Sequence, residues 1–186
     1  MSIEEFWNLI DEANSQSQGE MERKCEIVQS AVGSMSPETA NAFSRHFDEA
    51  MNRAYSWDLW GAAYVMNGGC GDDTFLDFRA SLVSRGKKAF ESAVASPESL
   101  ANEAFDEEAW FYEGFQYAVR EGAESAISPQ ALSVVPAPSE PSGSAWEESP
   151  EVLKERYPLL WVKFEKMWSP ASESEVRKPK PWWKFW

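Results

Sequence analysis

The stretch from Trp57 to Arg79, WDLWGAAYVMNGGCGDDTFLDFR, constrains the fold more than any other. Trp57, Leu59, Trp60, Ala62, Ala63, Tyr64, Val65 and Met66 leave hardly any polar face. A helix that is apolar on all sides belongs inside a protein. Asn67-Gly68-Gly69-Cys70-Gly71 then stops it, because each glycine costs about 1 kcal/mol relative to alanine in a helix interior. Asp72 or Asp73 is expected to cap the next helix, which carries Phe75, Phe78, Leu82 and Val83. Gly61, Ala62 and Ala63 lack bulk, so a neighbouring helix can approach closely there.

The flanking segments read as helices that cover this one. Ser2-x-x-Glu5 fits a capping box, and Ile3, Phe6, Trp7 and Ile10 follow at helical spacing. A second helix puts Met21, Cys25, Val28 and Val32 on one face, with Glu22, Arg23, Lys24 and Glu26 mostly off it, and Gly33 ends it. Ser36-Pro37-Glu38 opens a third, which carries Ala40, Phe43, Phe47, Ala50 and Met51. Gly86 is expected to interrupt the helix after the glycine loop, and Ser96-Pro97-Glu98 to cap a short one. Asp106 opens a helix with Trp110, Phe111, Phe115 and Ala118 in a stripe, and Gly122 is its expected end.

From about Ser125 the composition changes. Pro129, Pro136, Pro138, Pro141 and Pro150, with interspersed serines, mark an extended connector. Ser149-Pro150-Glu151 then caps a helix that Tyr157-Pro158 breaks. Leu160, Trp161, Phe164, Met167 and Trp168 make a last amphipathic helix, with enough ring area to dock on the body. The expected organisation is all-α: an irregular multi-helix core over 1–125, a proline- and serine-rich connector over 126–149, a returning helical segment over 150–168 and a flexible tail over 169–186. The whole is a single domain rather than a regular four-helix bundle.

Charge and cysteine content narrow the function. The net charge is −14, which argues against nucleic acid as a partner. The acidic, amphipathic N-terminus is unlike a signal peptide, no run reaches the roughly 20 apolar residues of a membrane span, and the two cysteines, Cys25 and Cys70, form no CxxC. These features point to a cytoplasmic protein with free thiols and no disulfide. The single histidine, His46, is too few for a His-based metal site or triad, so no catalytic residue, metal or cofactor is assigned.

Three segments carry a family resemblance: FWNLIDEA near the start, the central block LWGAAYVMNGGCGDDTFLDFRASLVSRGKKAFESAV, and EEAWFYEGFQYAV. Together they resemble a bacterial family catalogued as a domain of unknown function, number 4240. The resemblance covers about residues 1–125, with ERYPLLWVKF a candidate extension toward 168. It implies a helical cytoplasmic domain and carries no activity and no catalytic residue.

Two stretches are candidate sites. The first is the glycine loop, where Gly68, Gly69, Cys70, Asp72, Asp73 and Arg79 are candidate ligand-binding residues. Backbone amides at a helix start can hold an anion, and a helix N-terminus can lower a thiol pKa. The phosphate-loop pattern GxxxxGK[ST] is absent, however, and the two aspartates would oppose an anion. The competing reading is a tight turn whose glycines serve geometry alone.

The second candidate is the segment Lys180, Pro181, Trp182, Trp183, Lys184, Phe185 and Trp186. It is basic and aromatic, in a chain otherwise strongly acidic. Prolines limit its unbound freedom and large rings fill pockets on a partner. The expectation is a non-enzymatic interaction or regulatory module whose tail docks to an unidentified partner protein. One alternative is a small-ligand binder or enzyme at the Gly68–Asp73 loop. Another is peripheral association of the tail with a membrane surface.

Overall fold

The computed structural model describes residues 1–168; the tail candidates Lys180 to Trp186 lie outside the described residues. Among the described residues the protein is all-α, with no strand and one isolated bridge between Ser56 and Ser142. Helices α1 (Ile3–Gln16), α2 (Met21–Gly33) and α3 (Pro37–Arg53) come first. The capping box forms as expected: Glu5 N donates to Ser2 Oγ, and Ser2 N donates to Glu5 Oε2 at 2.6 Å. Ser36 caps α3 by accepting from Thr39 N.

Helix α4 (Trp57–Asn67) is the central element, and α5 (Asp72–Ser84) comes after the glycine loop. Leu59, Gly61, Ala62, Ala63, Val65 and Met66 are buried on α4. Gly86, at φ 96°, separates α5 from α6 (Lys87–Ala95). Ser96-Pro97 opens a 3-10 turn, Pro97–Asn102, without a side-chain cap.

The expected helix from Asp106 to Gly122 is instead two: α7 (Glu107–Trp110), capped by Asp106, and α8 (Gly114–Ala126). Gly122 lies inside α8 rather than at its end. A Cβ there would sit 2.9 Å from the Gln29 carbonyl oxygen, so this glycine lets α8 lie against α2.

The connector is strapped along α3 by polar contacts. Val135 N donates to Asp48, Asn52 Nδ2 to the Pro136 carbonyl and Ser133 N to Asn41. At the start of α4, Trp57 N donates to the Ser142 carbonyl and Trp146 Nε1 to the Trp57 carbonyl. These bonds satisfy backbone groups that a proline-rich chain cannot satisfy by itself.

Helices α9 (Pro150–Arg156) and α10 (Pro158–Trp168) then return to the body. Leu153, Leu160 and Phe164 are buried, and α10 packs on α4 and on the 3-10 turn. Glu98 caps the start of α10 by accepting from Leu159 N and Leu160 N. The closest approach is Tyr157 over Gly61. A Cβ on Gly61 would overlap the Tyr157 ring, whose hydroxyl donates to the Asp58 carbonyl.

Replacing Gly61 with alanine must push Tyr157 off α4. We expect G61A to lower stability by about 1–3 kcal/mol, the usual cost of overpacking, and to reduce the urea midpoint. An unchanged midpoint would show that the Tyr157 contact is not a close one.

Candidate functional site

The glycine loop is shaped by two of its three glycines. Gly68 ends α4 in the left-handed conformation at φ 65°, and Gly69 comes next at φ 136°. A Cβ on Gly68 would also lie 3.2 Å from the Met167 carbonyl oxygen, so the end of α10 rests on this residue. Gly71 has φ −80° and open space around it, so its position does not demand glycine.

The amides of Gly68 and Gly69 both donate to the Tyr64 carbonyl, so they are not free to hold an anion. Neither aspartate is the N-cap of α5. Gly71 takes that position without a side-chain bond, and Asp72 and Asp73 form the exposed first turn, where the positive helix end favours them.

Cys70 is buried, and burial pushes its thiol up to about 12, with Asp77 and Asp72 adding to the rise. The expected lowering by the helix N-terminus does not occur, because desolvation of a thiolate outweighs a helix end. The Cys70 carbonyl accepts from Trp60 Nε1 at 2.8 Å, which ties the loop to the edge of the Trp60 ring.

Arg79 is half-buried. Its Nη1 donates to the Met51 carbonyl at 2.9 Å, and its guanidinium sits 4.6 Å above the Tyr55 ring and 5.1 Å from Phe75. Burial lowers its pKa, but a guanidinium remains charged at neutral pH.

The fold brings these groups around one hollow of about 240 Å³. Tyr55, Trp60 and Phe75 form its aromatic floor, with Trp60 and Phe75 stacked at 4.8 Å and Trp57 stacked on Trp60 at 5.3 Å. Asp72 and Asp73 stand at its rim, Arg79 at its side, and Ala137-Pro138 of the connector close the far wall. Of the six candidates at the loop, Asp72, Asp73 and Arg79 therefore share a hollow, while Gly68, Gly69 and Cys70 do not line it. Next to it, Asp77 is raised to about 6 by burial, then by Glu113 and Asp73. This end of α5 is strongly negative.

A second hollow, of about 530 Å³, lies between the α1–α2 turn and the segment before α7. Met21, Arg85, Phe105 and Tyr112 line it, with Glu20, Glu22, Asp106 and Glu108 around them. The Arg85 guanidinium sits over Trp110, 3.6 Å from the ring centre, and its Nε is buried without a partner among the described residues.

Behind Met21 is Lys24, expected on the outer side of α2 but only 2 % exposed. Its ammonium donates to Ser84 Oγ at 3.3 Å and touches Met21 Sδ. Burial first, and Arg85 second, bring its pKa down to about 8. The signal was in the spacing: Met21, Lys24 and Val28 fall on one helical face. His46 is a satisfied residue, within 3.2 Å of Glu49 and 3.3 Å of the Met1 carbonyl. Among the described residues, no group of three or more His, Cys, Asp or Glu is arranged to hold a metal. No described helix is long and apolar enough to cross a membrane.

Among the described residues the fold is that of an all-α multi-helix protein with several modest surface hollows. The chain belongs to the family described as "Protein of unknown function (DUF4240)", whose model matches residues 1–124. No curated protein and no solved structure matches it.

Lys24 gives a pH-dependent test. Its folded pKa lies below its unfolded one, so the unfolded chain binds the extra proton between about pH 8 and 10. Stability from this residue therefore rises with pH across that window. Lys24→Met should stabilise the protein at pH 7 by about 1–4 kcal/mol and shrink the wild-type difference by pH 10. Urea melts of both proteins at the two pH values check this; a destabilised variant would contradict it.

Proposed function

We propose that the protein is an interaction or regulatory module that presents a basic, tryptophan-rich segment to a partner protein. The observation that carries this reading is the anchoring of α10. Its Trp168 Nε1 donates to the Val65 carbonyl at 3.1 Å, Met167 abuts Gly68, and the buried Phe164 meets Phe105 edge-on at 4.7 Å. The end of α10 is therefore fixed on the body.

The residue types beyond that point suit recognition. Lys180, Pro181, Trp182, Trp183, Lys184, Phe185 and Trp186 combine restrained backbone, large rings and positive charge. Tryptophan is enriched among residues that dominate binding energy, and lysines add steering toward an acidic partner surface.

The small-ligand alternative has the rim of Asp72, Asp73 and Arg79 in its favour. The hollow's volume of about 240 Å³ falls below the roughly 300 Å³ where ligand sites usually begin. The raised Cys70 thiol also offers no nucleophile there. The docking reading is therefore the stronger one.

The test is affinity capture from lysate with the full chain and with a chain ending at Val176. A protein retained by the first and lost from the second is the expected result. Identical recovery from both would overturn the reading.

A further inference from the structure

We infer that the aromatic hollow at the first turn of α5 is a docking surface for a basic, proline- and tryptophan-containing peptide, and that its occupant in the free protein is residues 177–186 of the same chain. The inference rests on the proposed role of that segment and adds where it is held before a partner takes it.

Four observations lead there. The first is position. Met167 rests on Gly68, and Trp60 Nε1 ties the Cys70 carbonyl to the edge of a ring on the floor of the hollow. The chain thus leaves α10 at the glycine loop, whose other end opens into Asp72 and Asp73. The end of α10 and the glycine loop, remote in sequence, are thus neighbours in space.

The second is reach. Eight residues, 169 to 176, separate α10 from Arg177. Extended, they span about 26–29 Å, more than a neighbouring surface requires.

The third is charge. Asp72 and Asp73 are exposed, and among the described residues neither enters an ion pair. Asp77 and Glu113 deepen the negative field beside them. Arg177, Lys178, Lys180 and Lys184 supply the opposite sign, with no acidic residue among 177–186.

The fourth is shape. Tyr55 and Trp60 are partly exposed and, backed by the buried Phe75, make an aromatic trough walled by Pro138. Lys-Pro-Lys-Pro favours the extended proline helix that aromatic-lined grooves accept. Tryptophan rings and lysine ammonium groups both gain from aromatic faces. Arg79 already covers Tyr55 and Phe75 from one side, and Trp57 and Phe75 stack on Trp60, so a docking chain meets the edge of Trp60 and the exposed aspartates beside it.

Zero-length carbodiimide coupling on the full chain tests this, because it joins only ammonium and carboxylate groups already in contact. The expected products link Lys178, Lys180 or Lys184 to Asp72 or Asp73. In a mixture of ¹⁴N- and ¹⁵N-labelled protein they should form within one chain. Substituting Trp182, Trp183 and Trp186 with alanine keeps every lysine and should cut the yield by about tenfold, as expected for the loss of aromatic anchors.

Three results would overturn the inference: coupling scattered over the acidic surface without preference, products that join two chains, or a yield that ignores the tryptophans. The two proposals fail separately. Partner capture without the coupling removes the internal contact alone, whereas coupling in a chain that captures nothing supports it and removes the partner role.

Discussion

The structure depends on how closely a second segment can approach α4. That helix carries apolar side chains in nearly every direction, so it needs cover from several neighbours, although Trp57, Trp60 and Tyr64 stay partly exposed. Gly61 opens one side to the returning segment. Without a Cβ, it lets Tyr157 lie directly on the helix, with its hydroxyl bonded to the Asp58 carbonyl. Tyr157 sets the start of α10, and α10 carries Leu160 and Phe164 into the core. Burying a side chain of this size contributes about 1.5–3 kcal/mol. A single absent methyl group therefore governs whether the returning segment can close the body.

The same closure positions the candidate site. Once α10 runs along α4, its end arrives at Gly68, the residue that also ends α4. Gly68 thus has two reasons to be glycine, one conformational and one steric. The loop beyond it, held by Trp60, delivers Asp72 and Asp73 to an aromatic surface. Stability and the site share one loop, so changes in the loop should affect both.

Much of this was legible in the sequence. The core helix α4, the capping box, the connector and the amphipathic α10 could be read from periodicity, cap residues and proline content. The features that could not be read came from contacts with partners remote in sequence. Gly122 looks like a helix end, because a glycine that ends a helix and one that admits a neighbouring carbonyl read alike. Lys24 looks solvated because charge outweighs spacing when a face is assigned, yet desolvation proved tolerable with Ser84 alongside it. Asp72 looks like a cap, although Gly71 takes that place. At the loop, Asp72, Asp73 and Arg79 are close along the chain and line one hollow. The aromatic floor beside them is not legible in the sequence, because Tyr55 and Pro138 reach it only through the tertiary fold.

Hydrogen exchange over residues 57 to 79 probes both the closure and the internal contact. It compares the full chain with the same chain carrying Trp182→Ala and Trp183→Ala. A body closed by α10 predicts slow exchange across the buried turns of α4 in both proteins. The internal contact predicts faster exchange at residues 70 to 76 in the substituted chain alone. Rapid exchange of α4 in both would contradict the closure, and identical profiles at residues 70 to 76 would contradict the contact.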